Sequence, residues 1–186
     1  MQAIINAIES GSLDADVKVV ISNKPDAPGL SIATDKGITT QSFPISDYDS
    51  KQAQETAMVA CLKKNGVQLV VLAGYMRLIG DPLLEGFPNA IVNIHPSLLP
   101  SFKGLNAQKQ ALDYGVKYTG CTVHYVIPEM DAGPIILQDT LEILANDTEK
   151  SLVSRLLEKE HAIYPKAIQL IAESRVSLDG NKVVIR

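Results

Sequence analysis

Two short and almost wholly apolar segments, residues 67–73 and 90–94, constrain the fold of this chain most. Neither segment alternates apolar with polar residues, so both are typical of strands that are buried on both faces. Such strands need helices on either side of their sheet, and helical patterns alternate with strand-like runs through the first two thirds of the chain. The sequence therefore predicts an α/β fold with a mostly parallel sheet flanked by helices.

The remaining elements follow from periodicity and from turn residues. Helices are predicted over residues 1–10, 26–36, 47–64, 81–85, 106–114 and 148–173, and further strands over 17–21 and 38–43. The last third differs, because residues 119–127 and 135–143 are extended segments joined by a loop rich in Gly and Pro. We expect them to form an antiparallel pair. The tail, 176–185, is typical of a hairpin around Asp179-Gly180-Asn181.

The length and composition of the chain fit a single globular domain spanning residues 1–186. Apolar residues make up 46% of the 186 residues and charged residues 20%, with a formal net charge of −4. An acidic chain has no general attraction to nucleic acid or to anionic membranes. There is no membrane-spanning apolar run and no secretory leader, and Cys61 and Cys121 read as buried free thiols. We therefore expect a cytoplasmic protein.

A side-chain amide and an imidazole stand together where the second apolar segment ends. Asn93 and His95 are two residues apart, so they point to the same side of an extended chain. In open α/β sheets ligands bind beyond the carboxyl ends of the strands. An amide and an imidazole there could polarise a carbonyl oxygen and deliver a proton. They could equally be two satisfied polar groups at the end of a strand.

Two loops offer further groups. Asp131 precedes Ala132-Gly133-Pro134, and a carboxylate near an imidazole would fix its tautomer, although a solvated loop aspartate is the plainer interpretation. Residues 74–79 could clamp a flat heterocycle between apolar side chains, or form an ordinary strand-to-helix turn. Glu160, His161 and Tyr164 share one helix face by spacing, and His124 reads as a structural histidine. The spacing of the three histidines indicates no metal site, and the chain contains no Gly-rich phosphate loop.

Several of these segments, taken in order, resemble the glycinamide-ribonucleotide formyltransferases. The segments that carry the resemblance are Ile21-Ser22-Asn23, Ala73-Gly74-Tyr75-Met76-Arg77-Leu78, Asn93-Ile94-His95-Pro96-Ser97-Leu98-Leu99-Pro100, Gly120-Cys121-Thr122-Val123-His124-Tyr125-Val126, Met130-Asp131-Ala132-Gly133-Pro134 and Glu160-His161-Ala162-Ile163-Tyr164-Pro165. The resemblance runs from Met1 to the end of the chain. It implies a Rossmann-like formyltransferase fold.

The resemblance also implies an activity and a set of site residues. Formyl transfer from 10-formyltetrahydrofolate to the amine of glycinamide ribonucleotide would require no metal and would take place on one chain or a homodimer. The catalytic residues would be Asn93, His95 and Asp131, and Pro96 and Glu160 would bind the substrate. The residues implied in folate binding are Met76, Arg77, Leu78, Ile79, Asn93, Met130 and Asp131.

The chain departs from the family pattern at its beginning. The family normally opens with a strand and a Ser-Gly-x-Gly-Ser-Asn loop that binds the ribose phosphate. Here residues 1–5 correspond to the helix that follows, so we expect unpaired strand edges in the sheet and weakened substrate binding. Three alternatives remain: a methionyl-tRNA formyltransferase relative, a formyltetrahydrofolate hydrolase relative, and a folate-binding module that no longer catalyses.

Overall fold

The computed structural model describes all of residues 1–186. The strands are β1 Val20–Ser22, β2 Thr40–Ser42, β3 Val70–Val71, β4 Ile91–His95, β5 Tyr118–Tyr125, β6 Ile135–Glu142, β7 Val176–Asp179 and β8 Lys182–Ile185. The helices are α1 Gln2–Glu9, α2 Pro28–Asp35, α3 Lys51–Lys64, α4 Asp81–Gly86, α5 Ala107–Tyr114 and α6 Glu149–Ala172, with a 3₁₀ turn at Ile45–Asp47. Every predicted helix and strand is present, although several are shorter than predicted.

Local signals explain where the two longest helices begin. The Ser50 side chain accepts a hydrogen bond from the backbone N–H of Ala53, so α3 begins at Lys51 and not at residue 47. The 3₁₀ turn occupies the residues before it. At α6, Thr148 and Ser151 bond reciprocally to each other's backbone N–H groups in a capping box. These caps set the first residues of α3 and α6, the two helices that contain Gln54, Glu55 and Glu160.

The strands form three separate sheets. β3, β4, β5 and β6 lie side by side in that order, with β3 parallel to β4 and the two later pairs antiparallel. β1 and β2 form a separate parallel pair, and β7 and β8 form the tail hairpin. The α/β class, the parallel part and the antiparallel later part are thus confirmed. The parallel part, however, is divided between two sheets.

The strand predicted at residues 67–73 is reduced to β3, which lies at the edge of its sheet. The backbone N–H groups of Val70 and Leu72 donate to the carbonyl oxygens of Ala90 and Val92, and no strand pairs with the opposite edge of β3. Val19 and Ile21 of the β1 region pack against the same apolar cluster as Val70 and Leu72. The two edges therefore border one shared core layer without a hydrogen-bonded connection. This agrees with the expectation of unpaired edges.

The alternation of side chains along β4 places the functional residues on one face. Ile91 packs into the cluster formed with Leu62, Leu83 and Phe87 of the α3–α4 side, and Val92 packs into the larger core against α6. Because side chains alternate along a strand, Asn93 and His95 lie on the same face as Ile91. The α6 side is tied to the sheet separately. There the Tyr164 hydroxyl donates to the carbonyl oxygens of Leu72, at 2.7 Å, and Val92, at 3.0 Å.

No helix combines the length and the apolar character that crossing a membrane would require.

Candidate active site

His95 lies at the last position of β4 and contacts acceptors at both ring nitrogens. Its Nε2 donates to the carbonyl oxygen of Phe102 at 2.9 Å, and its Nδ1 lies 3.4 Å from Oδ2 of Asp131. The ring is 5% exposed, so it is buried between these two partners. An imidazolium ion could donate to both oxygens at once, whereas a neutral ring could donate to only one. The structure therefore brings together His95 and Asp131, two of the residues that the family resemblance implies as catalytic.

Asp131 is held in place by its own loop and by the segment after the Leu-Leu-Pro turn. Its Oδ2 accepts a hydrogen bond from the backbone N–H of Gly104 at 2.8 Å. Its backbone has a φ of 48°, in the left-handed region that is uncommon for residues other than glycine. Gly133 lets this loop approach β5, because a Cβ at that position would lie 1.8 Å from the carbonyl oxygen of Tyr125. The loop is thus fixed at both ends around the carboxylate.

His124 belongs to the same cluster, although the sequence suggested only a structural role. It stands opposite Asn93 in the antiparallel register of β4 and β5. Its Nδ1–H donates to the carbonyl oxygen of Tyr125 at 2.9 Å, so its Nε2 is free to accept from the Asn93 amide at 3.3 Å. Burial lowers the pKa of His124, against the opposing influence of the Tyr125 carbonyl and Asp131. A neutral His124 therefore orients the Asn93 side chain.

The segment predicted to hold a heterocycle presents apolar side chains to solvent. Met76 is 73% exposed and Leu78 is 59% exposed, and Met130 of the second loop is 49% exposed. Arg77 is partly buried, and its guanidinium donates to the Gln54 side chain at 3.3 Å. Ile79 is partly buried and packs against the α3–α4 cluster. Exposed methionine and leucine side chains on two loops are suited to covering a flat ring.

The other two predicted residues lie on different elements, the turn after β4 and helix α6. Pro96 follows His95 directly and is partly buried. Glu160 projects from α6 close enough to Cys121 for its charge to contribute to raising the pKa of that thiol, after the larger effect of burial. Burial raises the pKa of Glu160 itself to about 7. The helix face predicted for Glu160, His161 and Tyr164 is not shared, because His161 is exposed and Tyr164 is fully enclosed.

No other part of the molecule offers a comparable cluster of reactive side chains. No group of three or more His, Cys, Asp or Glu side chains is arranged to hold a metal ion. An open groove beside α2 and β2, lined in part by Leu30, Thr34 and Gln41, contains none of the predicted site residues. Of the two cysteines, Cys121 is buried as expected, and Cys61 is partly exposed and donates to Gln41. The Asn93–His95–His124–Asp131 cluster is therefore the strongest candidate for a reactive centre.

Comparisons with known proteins show the family and the fold of this chain. The family model described as "Formyl transferase" matches residues 1–168. Phosphoribosylglycinamide formyltransferase of Escherichia coli is 38% identical over 97% of this chain and 85% of its own length. Glycinamide ribonucleotide transformylase 1 from Symbiobacterium toebii, a solved structure, superposes with a TM-score of 0.97 at 48% identity, covering 99% of this chain and 87% of that chain.

A longer relative matches over only part of its length. The trifunctional purine biosynthetic protein adenosine-3 of Gallus gallus is 40% identical over 96% of this chain, but the chain spans only 18% of it.

The fold and the family match together define a formyl transferase. The chain belongs to the formyl transferase family, and within that family to the group of the phosphoribosylglycinamide formyltransferases.

Proposed function

We propose that this protein transfers a formyl group from 10-formyltetrahydrofolate to the amine of glycinamide ribonucleotide, a step of purine synthesis. The observation that carries the proposal is the contact of His95 with Asp131 beside the Asn93 amide, at the carboxyl end of a sheet strand. Membership of the formyl transferase family supports formyl transfer as the reaction class. The relatives named phosphoribosylglycinamide formyltransferase support glycinamide ribonucleotide as the acceptor of the formyl group. We also propose that the reaction takes place in the cytoplasm and uses no metal. A homodimer remains a prediction.

The reaction requires stabilisation of one developing charge. As the amine nitrogen bonds to the formyl carbon, the π bond of the carbonyl group opens and negative charge builds up on the formyl oxygen. The C=O bond forms again when the bond from that carbon to the folate nitrogen breaks and this nitrogen takes up a proton. One hydrogen of the Asn93 amide is donated to His124, and the second hydrogen is available to bind the formyl oxygen. Nε2–H of His95 is the other donor, and it must leave the Phe102 carbonyl to serve. Loss of one such donor typically lowers kcat by about a hundred- to a thousandfold.

Asp131 holds the His95 ring in position through the contact with its Nδ1. Its Oδ2 faces Nδ1 of the ring, so a proton on that nitrogen is matched by a carboxylate. The same carboxylate lies at the edge of the site, 11% exposed, where a water molecule can reach it. We propose that Asp131 helps to move the amine proton toward the folate nitrogen through such a water.

The binding residues divide between the two substrates. We assign the pterin to the loop of Met76, Arg77, Leu78 and Ile79 together with Met130, because Met76, Leu78 and Met130 expose apolar side chains that can cover a flat ring. We assign the amine end of the ribonucleotide to Pro96 and Glu160. A carboxyl group whose pKa burial has raised to about 7 gains charge most readily when a cationic or hydrogen-bonding amine approaches it.

A formyl-transfer assay tests the proposal directly. The protein is mixed with 10-formyltetrahydrofolate and glycinamide ribonucleotide, and formylated product and free formate are measured separately. We expect ribonucleotide-dependent transfer that falls at least about a hundredfold in Asn93→Ala and in His95→Ala. His161→Ala, which changes an exposed histidine, is the control and should keep full activity. Release of formate without the ribonucleotide would instead indicate a hydrolase.

One observation favours a second candidate, a folate-binding module without transfer activity. β1 and β3 share a core layer but do not pair, so the sheet is open near the strand ends where the ribonucleotide would bind. Under this alternative, calorimetry would detect tetrahydrofolate binding, and no transfer would occur even at millimolar ribonucleotide. Transfer that saturates with ribonucleotide would exclude the module.

A further inference from the structure

Two polar side chains of α3 are buried as completely as any core residue. Gln54 is 0% exposed and Glu55 is 1% exposed, in contrast to their exposed neighbours Gln52 and Thr56. Burial of an amide and a carboxylate is costly unless their hydrogen-bonding groups are satisfied. Neither side chain belongs to the Asn93–His95–His124–Asp131 cluster. Their partners therefore indicate why two polar groups occupy these positions.

Gln54 joins two segments that are distant in sequence. Its amide N–H donates to the carbonyl oxygen of Phe43, and its amide oxygen accepts from the guanidinium of Arg77 at 3.3 Å. The first bond fixes which end of the amide faces Arg77. Arg77 is consequently held by a neutral acceptor, which leaves its charge free to interact with a ligand.

Glu55 holds the other end of the same loop. Both carboxylate oxygens lie 3.0 Å from the backbone nitrogen of Gly80, and Lys51 approaches one of them at 3.4 Å. The contact depends on Gly80, because a Cβ there would lie 2.5 Å from Oε2 of Glu55. The hydroxyl of Tyr75 is buried without a partner, and its pKa is raised by burial and by the charge of Glu55. Gln54 and Glu55 therefore contact the loop of residues 74–80 from the α3 side.

We infer that Gln54 and Glu55 are positioning residues that hold the loop of residues 74–80 in the conformation that binds the pterin. Leu78 lies between the two anchored positions, Arg77 and Gly80, and Met76 directly precedes Arg77; these two are the loop's most exposed large apolar side chains. The inference rests on the proposed function, because the pterin is assigned to this loop. It goes further in identifying which buried groups determine the affinity for folate and leave the affinity for the ribonucleotide unaffected.

Gln54→Leu removes one anchor, and Glu55→Gln weakens the other, because its side chain faces Gly80 with one acceptor oxygen in place of two. Gln52→Leu on the exposed side of α3 is the matched control. We expect the KM for 10-formyltetrahydrofolate to rise about tenfold in both variants. The kcat and the KM for glycinamide ribonucleotide should stay within about twofold. Gln54→Glu keeps an oxygen facing Arg77 and should recover part of the folate affinity. Equal losses for both substrates, or a fall in kcat alone, would overturn the inference.

Amide hydrogen exchange provides a second readout that needs no folate. The Gly80 amide should exchange slowly in the wild type and faster in Glu55→Gln, while the Gln52→Leu control matches the wild type. Unchanged exchange over residues 74–80 in both anchor variants would overturn the positioning role whatever the kinetics show. Faster exchange with unchanged folate affinity would overturn the link to folate. If the wild-type protein bound no tetrahydrofolate in calorimetry, the proposed function would fail, and the exchange data would still report on the loop.

Discussion

Nε2 of His124 lies 3.3 Å from the amide nitrogen of Asn93, so the second histidine of the site acts on the amide and not on the substrate. The register of β4 and β5 puts these residues opposite each other. Because Nδ1–H of His124 is committed to the Tyr125 carbonyl, the ring has one acceptor, and Asn93 uses it. The orientation of Asn93 is thus set by a neighbouring strand.

His124→Phe should therefore impair formyl transfer, although His124 itself does not contact the substrate in the proposed reaction. The change removes the acceptor and leaves one amide hydrogen of Asn93 unsatisfied, which costs about 1–3 kcal/mol, so we expect kcat to fall by about tenfold or more. His124→Gln can restore an acceptor and should lose less. Steady-state kinetics of both variants, with His161→Phe as the control, checks the prediction. Equal kcat values for His124→Phe and wild type would contradict the orienting role.

Glu160 should make the stability of the protein depend on pH in a defined window. Burial raises its pKa from 4.5 to about 7, so between these values the folded protein binds more protons than the unfolded chain. The free energy of unfolding contributed by this group is fully present below pH 4.5 and is lost as the pH rises through 7. Gln mimics the neutral acid. We expect Glu160→Gln to raise the Tm at pH 8 and to leave it unchanged at pH 5.

Differential scanning calorimetry at the two pH values tests this, with the exposed Glu158→Gln as control. The control should change the Tm at neither pH. An equal Tm gain for Glu160→Gln at pH 5 and pH 8 would show that the effect is not electrostatic.

Gly133→Ala should displace the loop that carries Asp131. The new Cβ would lie 1.8 Å from the Tyr125 carbonyl oxygen, so the backbone must move. We expect a loss of about 2 kcal/mol or more in the free energy of unfolding, together with a large fall in kcat. Urea denaturation and the transfer assay measure the two effects. Gly29→Ala, whose Cβ would meet only Met1 at an ordinary 3.7 Å, should keep the activity.

Tyr164→Phe should lower stability and leave catalysis unchanged. The hydroxyl donates to the Leu72 and Val92 carbonyl oxygens and so ties β3 to β4 from the α6 side. Its loss should cost about 1 kcal/mol of unfolding free energy, as for other buried hydrogen bonds. A Tyr164→Phe protein with wild-type kcat and a lower urea midpoint is the expected outcome. A kcat reduced tenfold would instead indicate that the position of the catalytic residues depends on the connection that Tyr164 makes between β3 and β4.

Periodicity located every helix and strand because the apolar spacing reflects which face is buried. The length of β3 could not be predicted in this way. Its apolar residues satisfy the pattern of a doubly buried strand, but pairing depends on a neighbour on each side, and only β4 is there. Likewise the 3₁₀ turn at Ile45–Asp47 buries none of its residues, so no apolar pattern separated it from α3 in the sequence.

The site was partly readable because Asn93 and His95 share one strand face. The roles of Asp131 and His124 depend on which residues oppose each other across 30 or more positions in sequence, and register is set by the whole sheet. Gln54 and Glu55 gave no signal, because a glutamine and a glutamate in a helix normally face solvent. Only the structure shows that α3 turns both of them inward.

The separation of β1 from β3 also affects which part of the protein unfolds first in solution. No backbone hydrogen bond joins the β1–α2–β2 unit to the larger sheet. Side-chain packing and side-chain contacts, such as the one from Cys61 of α3 to Gln41, hold the unit in place. Such a unit can unfold by itself at a lower free energy than the β4–β5–β6 core. We expect residues 20–42 to lose protection, and to be cut by protease, while the reactive centre is still intact.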